Sequence, residues 1–172
     1  MKRFLFYTAL VLVSFSLQNN VFAASSLIST VPNIMLIVVF SFGFLRGSSH
    51  GMLLGFACGL LSDVFFGSTL GVSALLYTIM GFLIGLLGRL YFTEFSDMPL
   101  LLCLVSDTLY HIGVFIVVFA MGGQYHFFSY VWDILIPELC YTGAAALVLY
   151  PLLRKADAAV SKWEARKTRS FV

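Results

Sequence analysis

Apolar residues run along this chain in long continuous blocks rather than in alternation, as in Met52 to Phe66 and Val72 to Leu87. A membrane β-barrel would alternate apolar and polar positions, one face to lipid and one to the lumen. Continuous blocks of this length instead predict helices whose backbone polar groups are satisfied internally, as the bilayer interior demands. Six such spans are expected, near 4–22, 28–45, 50–66, 71–91, 99–120 and 131–153. The connections between them are short: Arg46 to His50, Gly67 to Gly71 and Tyr91 to Met98. The predicted fold class is all-α, a polytopic membrane protein with one six-helix domain over 1–153 and a basic cytoplasmic tail over 154–172.

Composition supports the bilayer as solvent. Of 172 residues, 60% are hydrophobic and 10% charged, and the mean hydropathy is +0.99. A soluble domain carries about a quarter charged residues. The placement of charge then sets the orientation. With Lys2 and Arg3 inside and six crossings, Arg46, Arg89 and the tail residues Arg154, Lys155, Lys162, Arg166, Lys167 and Arg169 also fall inside. Those are all ten basic residues, so the positive-inside rule places both termini in the cytoplasm. The tail can lie on the anionic inner leaflet, with Val160 and Trp163 spaced for one helical face.

The first block has a second reading. Lys2-Arg3, the run Phe4 to Leu17 and Val21-Phe22-Ala23-Ala24 together have the form of a secretory signal with a small-residue cleavage site. Gln18-Asn19-Asn20 makes a poor approach to such a site, so a retained first helix is expected. A mature N-terminus at Ala24 would give five spans with the same orientation thereafter. On the outer side, Tyr125, Phe127, Phe128, Tyr130 and Trp132 suit anchoring at headgroup depth.

The chain's chemistry lies within its spans. Gly51, Gly55 and Gly59 recur every four residues and form a stripe along one helix face. Helices in lipid gain little by burying apolar area on each other, and small residues supply close packing instead. Span four offers Gly81, Gly85 and Gly88, with Ala74 and Tyr77 on a neighbouring face. A tight hairpin of spans three and four is therefore expected. Asp63 continues the i+4 series of span three near its outer end, where a carboxylate can cap neighbouring backbone. Asp107 and His111 lie four apart on one face of span five, deeper in hydrocarbon. Such groups face a bundle interior, and an internal hydrogen-bonded pair is the expectation, ahead of a proton relay. Asp133 and Glu138 flank Pro137 at the outer end of span six.

Enzyme signatures are missing: no HExxH, nucleophile elbow, phosphate loop or CxxC occurs. His50, His111 and His126 show no metal-ligand spacing, and Cys58, Cys103 and Cys140 all fall within spans. No catalytic residue, cofactor or metal is expected, and no nucleic acid among the partners.

Phe44-Leu45-Arg46-Gly47, then Gly51 through Gly55 to Gly59-Leu60-Leu61-Ser62-Asp63, then Gly67 and Leu70-Gly71, Ala74-Leu75, Tyr77 and Gly81 resemble the rod shape-determining protein MreD family. The shared pattern is a small-residue helix ending in GLL-x-D, a glycine turn, then LG-x-x-AL-x-Y. The resemblance implies a non-enzymatic inner-membrane scaffold that binds MreC and supports the cell-wall synthase pair, a glycosyltransferase of the shape and elongation type with a class B penicillin-binding protein. It also implies coupling to MreB filaments, and a fold similar to the substrate-binding subunits of energy-coupling-factor vitamin transporters. A vitamin-binding subunit of that same architecture is the alternative function, with Trp132, Asp133 and Glu138 as candidate cavity residues. A proton-coupled transporter using Asp107 and His111 is a third class.

Overall fold

The most deeply buried stretch of the chain is Ile34 to Gly43, the body of the second helix. Its sequence is apolar on every face, and a helix with no polar face belongs inside. Ser41 fits there because its hydroxyl donates to the Ile37 carbonyl (2.7 Å). The computed structural model describes residues 2–22, 31–66, 70–90, 98–120 and 127–169, all helical but for short connections. The turn at 67–69, the loop at 91–97, Tyr125 and the cleavage question at Ala24 lie outside the described residues.

The helices are α1 (Lys2–Ser16), continued by a wider π-helical stretch over Leu17–Phe22, then α2 (Ile34–Arg46), α3 (Ser48–Phe66), α4 (Val72–Leu90) and α5 (Met98–Ala120). A single turn, α6 (Phe127–Tyr130), leads through another π-helical stretch, Val131–Leu135, into the long α7 (Ile136–Arg169). Among the described residues, three segments are long and apolar enough to cross a membrane: Ser48–Phe66, Pro99–Val117 and Phe128–Lys162. Shorter apolar helices cover Ile34–Arg46 and Val72–Gly88.

α3 and α4 form the most extensive helix pair, and both pack on α2. α1, α5 and α7 also touch α2, which is thus the axis of the bundle. From α1, the Tyr7 ring meets Phe42 edge-on at 5.3 Å. A single residue, Gly47, separates α2 from α3, and its φ of 90° is open to glycine without strain. Chain reversal in so short a space depends on that conformation.

Two spans differ from their expected limits. In the span expected at 28–45, the described residues 31–33 are not helical and α2 begins at Ile34, where Asn33 caps it after Pro32. At thirteen residues, α2 is about 20 Å long, well short of a hydrocarbon core of about 30 Å. The helix of the last span does not stop near 153. α7 runs through Pro151 and on to Arg169, so the residues expected as a tail continue the same helix. Pro151 removes one backbone donor from this helix.

Arg46, the last residue of α2, holds that continuation. Its Nη2 lies 2.8 Å from Asp157 Oδ1, its Nε donates to the same carboxylate at 2.9 Å, and Nη2 donates to Ser161 Oγ at 2.6 Å.

Candidate functional site

Among the described residues, a glycine seam closed by Asp63 and a polar group at the head of α2 hold the bundle together, and Tyr77 joins them. The seam lies between α3 and α4. An added Cβ at Gly51 would strike the Gly81 carbonyl, one at Gly55 the Tyr77 carbonyl, and one at Gly59 the backbone of Ser73 and Ala74. A Cβ at Gly85 would strike Ser48 at the start of α3. The seam also draws in α2, since a Cβ at Gly43 would lie 3.2 Å from the Gly81 carbonyl and 3.5 Å from Gly51 Cα. Gly43, Gly51 and Gly81 therefore let three helix backbones meet at one level. The four-residue spacing in α3 exposed this face in the sequence; Gly43 stands on the same four-residue series through Gly47, but in the preceding helix, so the series reads as one face only from Gly51 onward.

Asp63 closes the seam. Its Oδ2 accepts the backbone N–H of Gly71 (2.9 Å) and of Ala74 (3.0 Å), and its Oδ1 accepts that of Ser73 (3.1 Å). The first N–H groups of a helix have no intrahelical partner, and a carboxylate also answers the positive end of the helix dipole. Asp63 thus acts as an N-terminal cap for α4 supplied by the preceding helix. Gly71 supports the entry to α4 with φ of 102°.

The second group surrounds the N-terminus of α2, in the interior of the bundle. All four leading amides of that helix are satisfied. Ile34 N–H donates to Pro32 O (2.9 Å) and Ile37 N–H to Asn33 O (3.2 Å). Met35 N–H donates to Gln18 Oε1 (3.1 Å) and Leu36 N–H to Asn33 Oδ1 (3.1 Å). Asn33 connects every neighbour: its own N–H donates to Thr142 Oγ1 (3.0 Å) on α7, its Oδ1 accepts from the Tyr77 hydroxyl (2.8 Å) on α4, and its Nδ2 donates to Asp107 Oδ1 (3.4 Å) on α5. The Tyr77 ring stacks on Tyr110 with centroids 4.7 Å apart. Since the Tyr77 carbonyl faces Gly55 while its hydroxyl reaches Asn33, one residue ties the glycine seam to the polar head of α2.

Asp107 and His111 do not form the direct hydrogen-bonded pair expected from their spacing. Asp107 Oδ1 and His111 Nε2 are 3.9 Å apart. The helix repeat puts the two on one face, but each turns to another helix. Asp107 takes the Asn33 amide, and His111 Nδ1 lies 3.1 Å from the Tyr130 hydroxyl. Nε2 of His111 faces Glu138 Oε1 of α7 at 3.2 Å. Ligand-type atoms of Asp107, His111 and Glu138 all lie within 4.8 Å of one another. Sequence reasoning omitted Asn33, Gln18, Thr142 and Glu138 from this group. Asn33 had a signal, standing after Pro32 at the head of an apolar run; Thr142 had none.

The sequence model of the family described as rod shape-determining protein MreD matches residues 1–156. The chain belongs to the MreD family. It is thereby a membrane protein with a role in rod shape determination, and MreD is not known as an enzyme family. No curated protein and no solved structure matches the chain. Within this MreD chain, the segment that carries the family resemblance, Phe44 to Gly81, builds most of the glycine seam and the Asp63 cap.

Proposed function

We propose that this MreD protein is a multi-pass scaffold of the bacterial cytoplasmic membrane, with six spans and both termini inside, that binds MreC. Through MreC it supports the synthase pair of cell-wall elongation, and it helps couple that pair to MreB. The observation that carries the reading is the family match over 1–156. The charge pattern supports the topology, since six crossings from an inside start leave all ten basic residues on one side.

The geometry favours a scaffold in a specific way. Three described polar side chains inside the bundle hold helix ends: Asp63 on α4, and Asn33 and Gln18 on α2. Beyond Ser49, the outward positions of α3 are apolar, including Leu53, Phe56 and Val64. Backbone contact through glycine fixes where that face points, so the α3–α4 hairpin is the proposed partner surface.

Affinity purification of the chain from crosslinked native membranes tests this. Recovery of MreC with cell-wall elongation proteins is expected. Recovery of an ATPase module, or co-elution of a vitamin-sized ligand that raises the melting temperature, would place the chain with the transporter subunits instead.

A further inference from the structure

We propose that Asp107, His111 and Glu138 form a binding site for a divalent first-row transition-metal cation, of which Zn2+ suits the donor set best. The chain's histidines show no metal-ligand spacing in sequence because the third donor comes from another helix. Asp107 and His111 stand on one face of α5, one turn apart, and Glu138 approaches from the first turn of α7.

The first observation is unpaired donor atoms. Asp107 is fully buried and His111 is 4% exposed, yet Asp107 Oδ2 and His111 Nε2 have no hydrogen-bond partner. The Nε2 to Glu138 Oε1 approach of 3.2 Å is an ion pair only with a protonated imidazole; with a neutral one, both atoms are open to a cation. Buried polar atoms are paired in the large majority of cases, and an ion is one of the few things that accounts for an exception.

The second is spacing. Ligands about 2.1 Å from a tetrahedral Zn2+ stand about 3.4 Å from each other. His111 Nε2 lies 3.2 Å from Glu138 Oε1 and 3.9 Å from Asp107 Oδ1. The third is the surrounding shell. A metal-binding imidazole usually donates its other N–H to a fixed acceptor, which sets the tautomer, and ligating carboxylates are themselves hydrogen-bonded. Here His111 Nδ1 meets the Tyr130 hydroxyl, and Asn33 Nδ2 donates to Asp107.

Charge points the same way. Two carboxylates and a neutral imidazole offset a 2+ ion charge for charge, whereas uncompensated acids within a bundle are costly. Among the described residues no Lys or Arg pairs with Asp107 or Glu138. An imidazole beside two carboxylates selects Zn2+ and similar ions over Mg2+ or Ca2+. Glu138 is the partly exposed member, at 14%, and gives the ion its way in. Bound there, the cation ties α5 to α7 across the capped head of α2.

The test uses the full-length chain with a histidine-free tag, in lipid nanodiscs, stripped with a chelator and titrated with ZnCl2 against a chromophoric competitor. One equivalent of Zn2+ per chain is expected. Glu138→Gln and His111→Gln should each lose at least hundredfold in affinity (~100-fold, as for loss of a strong outer-shell partner or more), Tyr130→Phe roughly 10–100-fold, and the exposed Asp133→Asn nothing. A wild-type chain that takes up no Zn2+, or a His111→Gln, Glu138→Gln chain that binds as wild type does, overturns the proposal. Should the ligand variants fail to fold, X-ray absorption of the Zn-loaded wild type decides. One imidazole with oxygen donors at about 2.0–2.2 Å is expected, and a sulfur shell at about 2.3 Å would assign the ion to cysteines and overturn the site.

Discussion

Asp63 accepts three backbone amides at the start of α4, and no other side chain described here caps a helix so fully. Replacing it by Ala leaves those donors in a buried setting without a partner. Asp63→Ala should lower stability by about 1–3 kcal/mol, the usual penalty for an unsatisfied buried group, read as a drop in melting temperature in detergent. Asp63→Asn keeps one acceptor oxygen and should fall between; an Ala variant that melts with the wild type would refute the capping role. Asn33 is the second such residue. Asn33→Leu keeps the volume but orphans Leu36 N–H, the Tyr77 hydroxyl and the Asp107 carboxylate. Its loss should exceed that of Asp63→Ala in the same assay. The sequence exposed Asp63 because it ends a regular glycine series. It could not expose Asn33's reach, since the partners Thr142 and Asp107 come from distant parts of the chain.

At the scale of helices, the glycines of α3 and α4 differ in what a larger residue would meet. Gly55 faces the carbonyl of Tyr77, which cannot move without moving α4. Gly113 on α5 faces the Cδ2 of Leu76 at 2.7 Å, the end of a flexible side chain. Gly55→Ala should therefore reduce the folded yield severely, and Gly113→Ala should cost under about 1.5 kcal/mol after a rotamer change. Equal yields from the two variants would contradict backbone contact at the seam. Hydropathy showed where helices lie to within a residue or two for α3, α4 and α5. It missed the start of α2 at Ile34, because hydropathy runs on across Pro32 and Asn33, whose capping signal is one of residue type and not of apolarity. It set the end of the last span near 153, because the basic residues after it mark a change of environment; the helical spacing of Val160 and Trp163 was the sign that the α7 backbone runs on through that change.

Across the whole molecule, the Arg46 clasp joins the end of α2 to the far part of α7. The Arg46 and Asp157 side chains are 17% and 15% exposed, so the pair is better shielded than a surface ion pair of roughly 0–1 kcal/mol. Asp157→Arg should free the α7 extension to proteolysis near Lys162, and adding Arg46→Asp should restore part of the protection. Cleavage unaffected by either change would show that apolar packing alone holds the extension. The same frame underlies the scaffold reading: backbone contacts at the glycine seam orient the outward face of α3 toward a partner. The most direct test is recovery of MreC from crosslinked native membranes with the wild-type chain and with a stably expressed Gly55→Leu, Gly59→Leu chain. The account predicts MreC with the wild type and its loss from the double variant. Equal recovery from a stable double variant, or no MreC with the wild type, would contradict it.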